Sequence, residues 1–163
     1  MTSPVKVIFL DIDGVICTRK AAGWPRWKAR PPVGRQPMRT SSRRPPRAID
    51  LTCLKRLGEL CGSTGALVVV SSTWRLDRDV PTIFRQRGFD GPFHEDWRTD
   101  LDGPTRGDEI GRWLADHAVD AYVVIDDRAN QIAVEQRPFL VATDYFDGFQ
   151  DRHLNAAARL LCG

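Results

Sequence analysis

Three short apolar runs punctuate the chain: Val5 to Leu10, interrupted only by Lys6, then Ala66 to Val70, then Ala121 to Ile125. Each has strand length and β-branched residues, and none alternates as a strand with one wet face would, so each predicts a strand covered on both faces. Between and after them the spacing becomes helical. Ala48 to Leu60 places Ile49, Leu51, Leu54, Leu57 and Leu60 near helical spacing, with Asp50 or Thr52 placed to cap it and Gly62 to Gly65 breaking it. Val80 to Arg87 predicts a helix with Pro81 in its first turn and a stop at Gly88. Thr105 to His117 predicts another: Thr105 caps, Asp108 and Glu109 favour the amino end, and Ile110, Trp113 and Leu114 form the apolar face. A short helix over Ala129 to Glu135, a strand over Phe139 to Ala142 and a closing helix over Leu154 to Leu161 complete the pattern. Phe89 to Gly103 reads as irregular or as a weak strand.

Strands that alternate with helices predict an α/β domain with a mostly parallel sheet and helices on both faces. Ligands in such sheets gather at the carboxyl ends of the strands. Here the three buried runs end in Asp11-Ile12-Asp13-Gly14, in Ser71-Ser72-Thr73-Trp74-Arg75 and in Asp126-Asp127-Arg128. Asp11 and Asp13 would share a face only on a fully extended backbone, and Gly14 argues for a bend instead. Taken alone, Asp-Gly is also ordinary turn chemistry, and Asp126 and Asp127 could be a helix cap and a solvated neighbour. Brought to one sheet edge, the four carboxylates of Asp11, Asp13, Asp126 and Asp127 would repel one another unless a cation sat among them. A hard divalent ion with oxygen ligands, Mg²⁺, answers that demand.

At 163 residues the chain fits one domain, 1–163. Between Arg19 and Arg47 lie ten basic residues (Arg19, Lys20, Arg26, Lys28, Arg30, Arg35, Arg39, Arg43, Arg44, Arg47) and no acid, which leaves 14 basic residues against 21 acids, or −7, for the remainder. The same segment holds Pro25, Pro31, Pro32, Pro37, Pro45 and Pro46 with Trp24 and Trp27 and no sustained period, so a basic loop or minimal lid is expected after the first strand. It reads equally as an electrostatic funnel for a polyanionic substrate, its tryptophans stacking on bases, or as a solvated insertion without a partner. Cys17, Cys53, Cys61 and Cys162 form no Cys-x-x-Cys pair and read as reduced thiols, mostly in the core. No basic leader with an apolar segment and no run of membrane-spanning length is found, so a cytoplasmic protein with no membrane partner is expected. Nothing in the sequence fixes an oligomeric state.

The order Asp11-Ile12-Asp13-Gly14-Val15, then Ser71 after an apolar strand, then Asp126-Asp127 resembles the haloacid dehalogenase (HAD) superfamily of phosphatases over nearly the whole chain. Val-Val-Val-Ser-Ser-Thr-Trp-Arg and Val-Val-Ile-Asp-Asp-Arg are most similar to the HAD domains of Swiss-army-knife RNA-repair proteins and to the phosphatase domain of polynucleotide kinase-phosphatases. The resemblance implies a three-layer, Rossmann-like HAD-type fold. It implies Asp11 as nucleophile, Asp13 as general acid and base, and a Mg²⁺ site made by Asp11, the Asp13 carbonyl, Asp126 and Asp127. Ser71 would bind the transferred phosphoryl group through its hydroxyl and its amide, with Ser72 as rival. The lysine usual in the third motif is missing. Arg106, at a helix start, is the best-placed cation for that role, the alternative being an exposed arginine. Arg75 and Arg128 are further candidates for gripping substrate. The expected activity is a Mg²⁺-dependent phosphomonoesterase acting through an aspartyl-phosphate on nucleotide or nucleic-acid terminal phosphates. A small-metabolite phosphatase and a weakly catalytic nucleic-acid-binding module are the alternatives.

Overall fold

In a computed structural model that describes residues 4–26 and 48–163, the three apolar runs lie side by side at the centre of one parallel sheet. β1 is Lys6–Leu10, and it is followed by a two-stranded antiparallel ribbon of β2, Cys17–Thr18, and β3, Ala48–Ile49. Then come α1, Leu51–Thr64; β4, Leu67–Val70; α2, Val80–Gln86; β5, Phe93–Arg98; α3, Arg106–Asp116; β6, Ala121–Asp126; β7, Leu140–Ala142; and α4, Asp151–Cys162. The five-stranded sheet has the order β5-β4-β1-β6-β7, every pair parallel. This is the mostly parallel α/β architecture that the alternation predicts, and it is Rossmann-like, as the resemblance implies.

The period of two along the strands divides the core into two layers. Ile8 and Leu10 of β1, Val68 and Val70 of β4, and Val123 and Ile125 of β6 face α1, α2 and α4, where Leu57, Phe84 and Ala157 close the packing. Val7, Phe9, Val69 and Val124 face the opposite way, onto Ile110 and Trp113 of α3. Each central strand is therefore buried on both sides, which is why none of them alternates in sequence. Phe9 meets Trp113 edge to face, with ring centroids 5.3 Å apart.

Helix ends follow their local chemistry. Asp50 caps α1 by accepting from the Thr52 and Cys53 amides, and the helix runs on past Gly62 to stop at Gly65, whose positive φ of 72° suits a left-handed cap. Thr105 and Asp108 form a reciprocal capping box at the start of α3. Phe89 to Gly103, read as irregular or as a weak strand, contains the edge strand β5. One expectation is corrected: instead of a single short helix over Ala129 to Glu135 the chain makes two 3₁₀ turns, Ala129–Gln131 and Val134–Phe139, with Pro138 inside the second. Cys17, Cys53 and Cys61 are buried, Cys162 is exposed, and none of the four forms a disulfide. Among the described residues no helix is long and apolar enough to cross a membrane.

Of the basic segment, Arg19, Lys20 and Arg26 are described, while Lys28, Arg30, Arg35, Arg39, Arg43, Arg44, Arg47 and Trp27 lie outside the described residues. Thr18 and Ala48, which flank the segment in sequence, pair with each other. Its first residues dock on the loop after β7: the Arg19 guanidinium lies 4.6 Å from the Tyr145 ring centroid, Arg26 lies 4.7 Å from that of Phe146, and Arg26 also pairs with Asp147.

Candidate active site

Asp11 stays tied to the sheet, its amide donating to the Ile125 carbonyl of β6 at 3.0 Å. Immediately afterwards the chain turns. The Ile12 carbonyl accepts from the amides of Val15, Ile16 and Cys17, and Gly14, at φ +85°, donates to the Cys17 carbonyl at 2.8 Å. The two acids thus sit on a tight loop, as Gly14 implies, with Asp11 buried and Asp13 half-buried. Gly14 is required twice over: its φ disfavours a side chain, and a Cβ there would fall on the Asp127 carboxylate. Thr143, at the end of β7, fixes the loop from the far side by donating to the Gly14 carbonyl at 2.8 Å.

Asp126 ends β6 fully buried, one carboxylate oxygen accepting from the Arg128 amide at 2.8 Å and the other from Arg106. Ligand atoms of Asp11, Asp126 and Asp127 all lie within 4.8 Å of one another. Arg106 enters from the first turn of α3, held there because Gly107 packs directly on Ala133 and its carbonyl accepts from Gln136 at 2.8 Å. The guanidinium reaches both Asp126 and Asp11, the latter at 3.3 Å. Arg106 is therefore no exposed helix arginine.

Three carboxylates against one guanidinium leave a deficit of two positive charges in a buried place. Asp11 registers it: burial first, then Asp126, pushes its carboxyl up to about 7, with Arg106 opposing and Asp127 adding to the rise. Burial alone would pull the Arg106 guanidinium down, and Asp11 and Asp126 reverse that and hold it above its usual value. Closely spaced, hard carboxylate oxygens with that deficit fit a divalent cation.

At the end of β4 the Ser71 amide donates to the Leu10 carbonyl at 3.0 Å, so the amide expected to meet a phosphoryl group is committed to the sheet. The Ser71 hydroxyl is buried with no hydrogen-bond partner among the described residues, which leaves Oγ as its available donor. Ser72 instead caps the 3₁₀ turn Thr73–Leu76, accepting from the Trp74 amide at 3.4 Å. Arg75 does not reach outward for a substrate. It is 2 % exposed, with Nε on the Thr99 carbonyl, Nη1 on the Ser71 carbonyl, and Nη2 on Glu109 Oε2. Arg128 contributes its amide to the site while its side chain belongs to an exposed residue. Sequence reading missed Glu109 and Thr143. The signal for Thr143 was its position as the first polar residue after a buried strand, the same as that of Ser71. Glu109 read only as an acid favouring a helix start.

A family model described as the HAD domain in Swiss Army Knife RNA repair proteins matches residues 7–154. Comparison with curated proteins and with solved structures gave no match.

Proposed function

The chain belongs to that family of HAD domains, for which phosphatase-type activity is the expectation, and from this we propose that it is a Mg²⁺-dependent phosphomonoesterase acting on terminal phosphates of nucleotides or nucleic acids. The observation that carries the reading is the meeting of Asp11, Asp126 and Asp127 with Arg106, beside the unpartnered hydroxyl of Ser71. Asp11 attacks the phosphorus, forming an aspartyl-phosphate as the ester P–O bond breaks, and Asp13 gives its proton to the leaving alkoxide. Water then attacks the same phosphorus while Asp13 takes back a proton, the Asp11–phosphorus bond breaks, and orthophosphate leaves. Arg106 holds the Asp11 carboxylate in place and offsets charge on the phosphoryl oxygens, and Ser71 donates Oγ–H to one of them. Asp11, Asp126, Asp127 and the Asp13 carbonyl would hold Mg²⁺, which supplies the positive charge needed for two anions to approach. The nucleic-acid preference is supported by the ten basic residues of 19–47 and by the RNA-repair setting of the family.

The test is turnover of an aryl phosphate with Mg²⁺, followed by a panel of end-phosphorylated oligonucleotides, mononucleotides and sugar phosphates. Turnover should vanish with a chelator and return with Mg²⁺, and Mg²⁺ should stabilise the wild type by about 1–3 kcal/mol in melting experiments. Asp126→Asn and Asp127→Asn should lose that stabilisation. Activity that is equal in the chelator ends the proposal, and oligonucleotides ranking last would redirect it to small metabolites.

A further inference from the structure

Arg75 and Glu109 have no part in the chemistry above, yet they form a buried ion pair, Nη2 to Oε2 at 2.8 Å, between the loop after β4 and helix α3. Burying two charges is costly, and for stability alone an apolar pair of the same volume serves as well. A reason for keeping the pair lies in what each partner is attached to. Arg75 Nη1 donates to the Ser71 carbonyl at 2.8 Å, and the Ser71 amide is already bound to Leu10, so both main-chain groups of Ser71 are pinned and its hydroxyl alone remains available. Glu109 lies three residues after Arg106, on the same side of α3. The planar guanidinium has fixed donor directions, and Nε on Thr99, at 2.6 Å, with Nη2 also near the Asp100 carbonyl, at 3.4 Å, leaves it no freedom to rotate. Arg98 closes the arrangement by donating to the Arg75 carbonyl at 3.4 Å.

We propose that the Arg75–Glu109 pair is a strut that sets the spacing between the Ser71 hydroxyl and the Arg106 guanidinium, making Arg75 a positioning residue for phosphate capture. The proposal rests on the phosphatase reading. An arginine that touched the substrate would act independently of Ser71. A strut acts through it.

The experiment uses the full chain and three readouts: melting, orthophosphate affinity by calorimetry with Mg²⁺ present, and aryl-phosphate turnover. Arg75→Lys keeps the charge but loses the fork. Glu109→Gln keeps the shape and an acceptor oxygen, and it tests the strut if Arg75→Lys does not fold. Each should weaken orthophosphate binding about tenfold and lower kcat about 10- to 100-fold, the order expected for small misplacements of binding groups. The Mg²⁺-dependent rise in melting temperature should persist, because the acid cluster is untouched. In a Ser71→Ala background the same substitutions should cost no more than about a further twofold. Unchanged phosphate affinity and kcat with only a lower melting temperature would overturn the strut, as would losses that multiply with Ser71→Ala. A wild type that binds orthophosphate without hydrolysing aryl phosphate would refute the phosphatase reading while the titrations still judge the strut. A wild type that does neither counts against both.

Discussion

At the ends of β1 and β6, three carboxylates crowd around one guanidinium and burial pushes Asp11 up to about 7. At the end of β4, by contrast, each nitrogen of Arg75 has an acceptor and both main-chain groups of Ser71 are bound. The first region is electrostatically unsatisfied and the second is locked. In a parallel sheet, a strand end whose charges do not cancel is the better candidate for chemistry, while at the end of β4 the main chain is fixed and the Ser71 hydroxyl alone is left without a partner among the described residues.

The largest effect is expected for Asp11→Asn. It should cost at least about 10³-fold in turnover, while the metal-free variant melts no lower than wild type, because it removes a charge that burial and two neighbouring acids oppose. A large loss of melting temperature would mean that the acid side is scaffold after all. Next, Arg106→Ala should lower turnover about 10²-fold, and Arg106→Lys should recover most of it, since the role requires a cation reaching two carboxylates. Gly14→Ala should destabilise the fold by about 1–3 kcal/mol through its left-handed backbone and should also weaken the Mg²⁺ response, because the added methyl displaces Asp127. The smallest effect belongs to the locked side: Ser72→Ala removes a cap worth about 1 kcal/mol and should leave turnover within about threefold, whereas Ser71→Ala should not. If the two serines behave alike, the hydroxyl assignment falls.

Much of the molecule could be read from the chain because its strongest signals are local. Continuous apolar runs marked the central strands, and Thr105 with Asp108 marked the start of α3, since caps are written within four residues. β5 was only weakly visible because Phe93–Arg98 is a half-exposed edge strand whose core-facing Phe93 and Trp97 are separated by Glu95 and flanked by His94 and Asp96, so that no apolar run marks it. Asp11, Asp126 and Asp127 could be brought together on paper because parallel strands deliver their carboxyl ends to one edge. What stayed hidden was which polar groups the fold itself consumes. Nothing in Ser-Ser-Thr-Trp-Arg says that the Ser71 amide belongs to β1, or that Arg75 turns inward to a glutamate on α3. Those partners are distant in sequence and chosen by packing.

The central place of β1 also bears on how the protein is made. Ile8 pairs with Val68 on one side and with Val123 on the other, so the first strand synthesised cannot be completed until the fourth strand of the sheet, β6, has emerged. Pairings of such long separation carry a loop-closure cost that precedes their reward. Asp11 and Asp13 are therefore made before Asp126 and Asp127, and the crowding of the finished cluster requires β6 to be in place beside β1. The acids are brought face to face only when β6 docks, the step at which the apolar contacts of the central sheet are complete enough to hold them there.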